Sequence, residues 1–182
     1  CWSRGDERRY RAVQLVVMGV SGCGKSTVAA LIASRTGCAL AEGDDFHAAS
    51  SIARMAVGRP LDDTTRTPWL AAIATWLTER AAGGECAVVS CSALTRAYRD
   101  VLRGAGPDVR MVHLAGAYEL VARRLAARRD HFMPPQLLAS QYAVLEPLAP
   151  DEPGITLNLQ ASPDHLADEI LRTFGLRPHC AG

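Results

Sequence analysis

Gly19-Val20-Ser21-Gly22-Cys23-Gly24-Lys25-Ser26 fits the pattern GxxxxGK[ST], and its surroundings give the match its weight. Before it stands Val13 to Met18, a short continuous apolar run rich in β-branched residues, as in a strand buried on both faces. After it, from Lys25, the period turns helical, with Val28, Leu31 and Ile32 on one stripe and Gly37 placed to close the helix. In this frame successive backbone N–H groups curl around phosphate oxygens, and the helix N-terminus adds about half a positive charge. Lys25 is placed to bridge the β and γ phosphates of a nucleotide. Ser26 is placed to bind Mg²⁺, a hard ion that keeps several waters and takes few protein ligands. Gly19, Ser21, Gly22, Cys23, Gly24, Lys25, Ser26 and Thr27 are the expected nucleotide-binding set.

Outward from the loop, further short apolar runs occur at Ala39 to Leu40, Ala87 to Ser90, Val109 to Leu114 and Ile155 to Leu159, separated by helical pattern. Strands alternating with helices imply a parallel sheet, here of five strands flanked by helices in an α/β fold of the P-loop nucleoside triphosphate hydrolase type. Thr67 as N-cap and Pro68 at the first helical position predict a helix carrying Trp69, Ile73, Trp76 and Leu77, stopped by Gly83 and Gly84. Ser162 and Pro163 repeat the device before Leu166, Ile170, Leu171 and Phe174. Asp44 to Thr67 and Asp130 to Pro153 read as less regular, long connections of the kind that bind substrates or form lids.

A chain of 182 residues suits one domain, and 20 Lys+Arg against 19 Asp+Glu leave a net charge of +1. No broad basic surface draws such a chain to nucleic acid, so any anion site is local. Residues 1–11 read as a flexible leader and 12–182 as a single P-loop domain. No apolar run approaches the roughly 20 residues that span a bilayer, and the expected setting is cytoplasmic, with no membrane partner. The six cysteines, Cys1, Cys23, Cys38, Cys86, Cys91 and Cys180, spell no CxxC pair and read as buried or incidental thiols.

The kind of P-loop protein follows by elimination. Ala87-Val88-Val89-Ser90-Cys91-Ser92 ends in small polar residues, where motor and transporter ATPases carry an acidic strand end, and no [NT]KxD motif reads a guanine base. A small-molecule kinase remains, needing a carboxylate near the acceptor hydroxyl, an acceptor pocket and mobile cations. Asp44 and Asp45 follow the second strand, where ligands of open α/β sheets bind; either could orient the hydroxyl, or form an Asx-turn or capping pair. His47 is a candidate beside them or an ordinary loop histidine. Arg123, Arg124, Arg128 and Arg129 lie on a helix from Tyr118, with Arg124 and Arg128 one turn apart. They form either a solvated basic face or a lid, at about 123–136, that closes guanidinium groups onto the γ-phosphate and excludes water.

Together with Glu42-Gly43-Asp44-Asp45-Phe46-His47, Gly58-Arg59-Pro60-Leu61, Cys91-Ser92-Ala93-Leu94, Tyr98-Arg99-Asp100, His131-Phe132-Met133-Pro134, Ser140-Gln141 and Leu145-Glu146, the phosphate loop resembles the short P-loop gluconate kinases, related in fold to shikimate and adenylate kinases. The resemblance implies transfer of phosphate from Mg-ATP to D-gluconate, giving 6-phosphogluconate, and a homodimer as in many members. It implies Asp44 as the acceptor-orienting carboxylate. His47, Arg54, Arg66, Arg99 and His131 would lie on the gluconate side of the segment 44–67 and the lid. A small polyol carboxylate calls for a cation and several hydrogen-bonding groups. For Arg99 a salt bridge to Asp100 or a nearby helix carboxylate is the competing role.

Three residues depart from the family pattern: Ser51 for Asn, Arg54 for Lys and Thr65 for Asp. Arg54 keeps the charge but replaces a point donor by a planar fork. Two rivals follow. One is a kinase of another small hydroxyacid, such as shikimate, and the other is a nucleotide-binding module without catalysis, for which Thr65 is the motive.

Overall fold

A computed structural model of the chain describes residues 13–48, 63–127 and 135–178. The expected leader 1–11 lies outside them, as do Ser51, Arg54, Arg128 and His131 and half of the expected lid. Five strands run in order along the chain: β1 (Gln14–Met18), β2 (Ala39–Glu42), β3 (Ala87–Ser90), β4 (Val109–Ala115) and β5 (Gly154–Asn158). All neighbouring pairs are parallel, in the spatial order β2-β3-β1-β4-β5. Crossover helices on both faces make this the doubly wound P-loop arrangement expected from the alternation of patterns. The helices are α1 (Lys25–Thr36), α2 (Asp63–Ala82), α3 (Arg96–Arg103), α4 (Tyr118–Ala126), α5 (Pro135–Val144) and α6 (Pro163–Thr173).

The central place of β1 follows from its composition. Leu15, Val16, Val17 and Met18 are all fully buried, and alternate side chains enter opposite cores. Leu15 and Val17 join Val28, Ile32, Val121, Leu138 and Leu166, the side covered by α1, α4, α5 and α6. Val16 and Met18 join Trp69, Ile73, Leu77 and Leu102 from α2 and α3. β1 is the middle strand, so the phosphate loop leaves from the middle of the sheet's C-terminal edge, where ligands of open α/β sheets bind.

Three expectations change. Pro68 lies inside α2 rather than at its start, because the helix begins at Asp63. Its missing N–H forfeits one helical hydrogen bond. Tertiary anchors on either side compensate: Arg66 donates to the Tyr98 hydroxyl at 2.8 Å, and the Trp69 indole N–H donates to the Gly43 carbonyl at 2.6 Å. The stretch from Asp130 to Pro153 is more regular than its composition suggests, since α5 occupies ten residues of it. Cys38 and Cys86 are not incidental thiols, because they form a disulfide. Ala39 and Ala87 pair directly across β2 and β3, so the residues preceding them meet, with Cα atoms 4.8 Å apart. Cys23 and Cys91 stay free and buried.

Candidate active site

The phosphate loop is built on positive backbone angles, with φ of 140° at Gly19, 80° at Gly22 and 98° at Gly24. These are conformations that side-chain-bearing residues rarely hold. Gly24 is the N-cap of α1 and no side chain caps the helix, so its first-turn amides are left for an anion. Lys25, the only lysine in the chain, donates from Nζ to the Val20 carbonyl at 3.0 Å, folding its ammonium over the loop. Cys23 contributes backbone only; its side chain is buried and burial pushes its thiol pKa up. Cys91, in the turn after β3, is pushed up to about 12 by the same desolvation, so neither thiol is a nucleophile here.

Beside the loop, register brings three polar groups together. Glu42 and Ser90 are Cα partners at the ends of β2 and β3. The same oxygen of Glu42, Oε2, accepts hydrogen bonds from the Ser26 hydroxyl, at 2.8 Å, and from the Ser90 hydroxyl. In the sequence Glu42 stands out only as the first residue of Glu42-Gly43-Asp44-Asp45-Phe46-His47. The signal for it was the strand end itself, since a carboxylate at the C-terminal edge next to the phosphate loop falls where such sheets bind ligands. A hydroxyl and a carboxylate oxygen this close form a hard-oxygen donor set that suits Mg²⁺ with its remaining waters.

The chain then turns sharply. An added Cβ at Gly43 would stand 2.3 Å from the Ser90 carbonyl oxygen, so only glycine lets β2 pass so close to β3 before the turn Gly43–Phe46. That turn presents Asp44, whose side chain is 92% exposed and free to meet a ligand. The His47 imidazole behind it is buried and stacks on Trp69, with ring centroids 4.3 Å apart, and Nε2 lies 3.9 Å from Asp44 Oδ1. Burial holds the His47 pKa below its ordinary value against the pull of Asp44, and the Arg66 charge lowers it further. His47 is therefore a neutral imidazole at pH 7. Its Nδ1 is buried with no hydrogen-bond partner among the described residues. Arg66 lies over the Tyr98 ring at 5.4 Å and completes the cluster.

On the opposite side of the loop, Arg124 donates to the Leu159 carbonyl at 2.6 Å. It lines a hollow of about 300 Å³ with Gly22, Gly24, Thr27, Ala161 and Pro163. This hollow meets the phosphate loop from the α6 side. A second hollow of about 410 Å³, around Arg103, Gly106 and Pro153, carries only a self-satisfied Asp100–Arg103 pair, 3.0 Å apart.

Arg99 corrects an expectation. Instead of facing an acceptor it is 1% exposed and bidentate to Glu152, with Nε–Oε1 at 2.6 Å and Nη2–Oε2 at 2.8 Å. Its remaining hydrogens go to the carbonyls of Ala93, Leu94, Glu146 and Pro147. The competing role, an ion pair, is the one observed, but with Glu152 rather than Asp100. The clasp holds Ala93 at φ 40°, in the turn whose Ser92 carbonyl accepts from the Gly19 N–H at 3.3 Å. Arg99 thus supports the start of the phosphate loop from within the core.

Sheet order, phosphate loop and carboxylate turn together define a P-loop kinase. A family model described as AAA domain matches residues 15–148. A gluconokinase from Gluconobacter oxydans is 45% identical over 160 residues, covering 88% of this chain and 90% of that protein. A crystal structure of a sugar kinase from Janibacter sp. HTCC2649 superposes with a TM-score of 0.86 at 46% identity, covering 91% of this chain and 95% of the other. A gluconokinase from Sinorhizobium meliloti gives 0.82 at 39% identity, covering 90% and 92%. The chain belongs to the gluconokinase family.

Proposed function

We propose that this chain transfers the γ-phosphoryl group of ATP to D-gluconate, giving 6-phospho-D-gluconate and ADP. The observation that carries the proposal is the convergence at one sheet edge of the uncapped phosphate loop, the Ser26–Glu42 oxygen pair and the exposed Asp44. The amides from Gly22 to Thr27 take the phosphates, and the Lys25 ammonium leaves the Val20 carbonyl for the β and γ oxygens. Ser26 and Glu42 would hold Mg²⁺, which supplies charge neutralisation to the phosphates. Asp44 accepts the proton side of the acceptor hydroxyl and aims its oxygen at phosphorus. Arg66, with the neutral His47 beneath it, offers a cation and a hydrogen-bonding surface to a sugar acid. Arg124 and Arg128 act from the lid side, and Arg54 and His131 complete the acceptor pocket.

In this proposal residues 12–182 form one domain, with the acceptor segment at about 44–67 and the lid at about 123–136. Among the described residues no helix is long and apolar enough to cross a membrane. We propose a cytoplasmic setting.

The test is Mg-ATP-dependent ADP release with D-gluconate, shikimate, other sugar acids and no acceptor in parallel. Selective stimulation by gluconate supports the proposal. Stimulation by a different acid moves the substrate, and tight ATP binding without any stimulation makes the chain a binding module.

A further inference from the structure

Gln141 lies on α5, 120 residues from the phosphate loop, yet its carboxamide is matched to one loop residue. Oε1 accepts the Ser21 backbone N–H at 2.7 Å, and Nε2 donates to the Ser21 hydroxyl at 3.1 Å. Such a reciprocal pair fixes both position and orientation of the residue it grips, because an amide offers an acceptor and a donor in one plane.

The helix that carries Gln141 is itself held firmly. Leu138 is 2% exposed in the core, and the Tyr142 hydroxyl donates to the Gly116 carbonyl at 2.9 Å while its ring meets Tyr118 edge-on at 5.4 Å. Just beyond the helix, the Glu146 N–H donates to the Leu94 carbonyl at 2.9 Å. The gripping amide is therefore anchored to the ends of β3 and β4 as well as to the loop.

Its place on the loop decides what it does. The helix end of the loop, Gly24 to Thr27, offers its amides to the inner phosphates. The Lys25 ammonium, which serves the β and γ phosphates, rests on Val20, one residue before Ser21. Ser21 therefore belongs to the end of the loop that meets the terminal phosphate.

We propose that Gln141 is a positioning residue that sets the curvature of the phosphate loop through Ser21 and so tunes it for a triphosphate over a diphosphate. The proposal rests on the phosphate loop being a nucleotide site and not on the identity of the acceptor. A carboxamide there is neutral, so it shapes the loop without repelling the anion. A carboxylate of the same shape would still accept the Ser21 N–H but would place a negative charge beside the terminal phosphate.

The test uses the full chain with Mg²⁺, comparing dissociation constants for ADP and a non-hydrolysable ATP analogue by calorimetry, with thermal unfolding run alongside. Gln141→Met keeps the volume and removes both hydrogen bonds; Gln141→Glu keeps the shape and adds charge. Both should weaken the triphosphate analogue by about tenfold or more and ADP by less than about threefold, with Gln141→Glu the larger effect. Ser21→Ala, which loses only the hydroxyl half of the grip, should shift the ratio in the same direction and serves if the α5 variants unfold. Equal weakening of both nucleotides, or an unchanged ratio, overturns the proposal and leaves Gln141 as packing. A shifted ratio in a protein that ignores gluconate would sustain Gln141 and defeat the acceptor assignment, so the two fail separately.

Discussion

Replacing Arg99 with methionine removes a guanidinium that sits 1% exposed and leaves the Glu152 carboxylate, fully buried, without its bidentate partner. Breaking a buried pair from one side costs about 3–5 kcal/mol, since the remaining charge stays desolvated. The Ala93 and Leu94 carbonyls lose their donor at the same time, which places the cost at the upper end. For a chain of this size each kcal/mol moves the melting temperature by about 2–4 °C, so a fall of roughly 10–20 °C is expected. Adding Glu152→Leu should recover much of the loss, because two apolar residues in a dry site avoid the desolvation that the ion pair overcomes. The assay is thermal unfolding by circular dichroism on the single and double variants, with gluconate KM measured below the transition. An Arg99→Met protein with wild-type stability and a sharply raised KM for gluconate would show that the guanidinium contacts substrate, and the core assignment would fall.

Other outcomes follow from the same geometry. Lys25→Ala removes the only ammonium aimed at the transferring group and should lower kcat by several orders of magnitude; wild-type turnover would overturn the phosphate-loop assignment. Asp44→Asn should keep ATP affinity and lose transfer, measured by calorimetry beside turnover; equal loss of both would place Asp44 at the metal instead. Opening the Cys38–Cys86 link, which closes a span of 48 residues, by reductant or by paired serine substitutions should cost about 4 kcal/mol in the chain-entropy model, read from urea midpoints with and without reductant. His113 is buried, neither ring nitrogen has a hydrogen-bond partner among the described residues, and burial, aided by the Arg99 charge, holds its pKa below 6.5. The unfolded chain therefore takes up a proton that the folded one refuses. The stability from this group is complete above pH 6.5 and is lost as pH falls below it, at up to about 1.4 kcal/mol per pH unit. His113→Leu should flatten that slope in urea titrations between pH 7 and 5, and an unchanged slope would assign the acid sensitivity elsewhere.

What the sequence made legible was the part of the fold set by local period and backbone chemistry. The phosphate loop could be read because strand, glycines and helix are contiguous, and the parallel sheet because its strands are short apolar runs between helical stripes. Asp44 was legible for a related reason, since it follows a strand end. Other features depend on partners distant in the chain. Arg99 meets Glu152 across 53 residues, and nothing near Tyr98-Arg99-Asp100 distinguishes a buried clasp from a substrate contact. The Cys38–Cys86 link depends on the register of β2 against β3, which no cysteine spacing encodes. Pro68 misled for the opposite reason, because a strong local start signal was overridden by the Trp69 and Arg66 anchors. Glu42 was in view as a residue, but its part with Ser26 appears only when two strand ends and the loop are brought side by side.

The central claim is the transfer itself, and ³¹P NMR of one reaction mixture tests it most directly. Purified chain, Mg-ATP and D-gluconate should give a phosphomonoester resonance that grows in step with ADP, with little inorganic phosphate and no growth in the Lys25→Ala protein. ADP rising with inorganic phosphate alone, or no turnover in the presence of gluconate, would contradict the account.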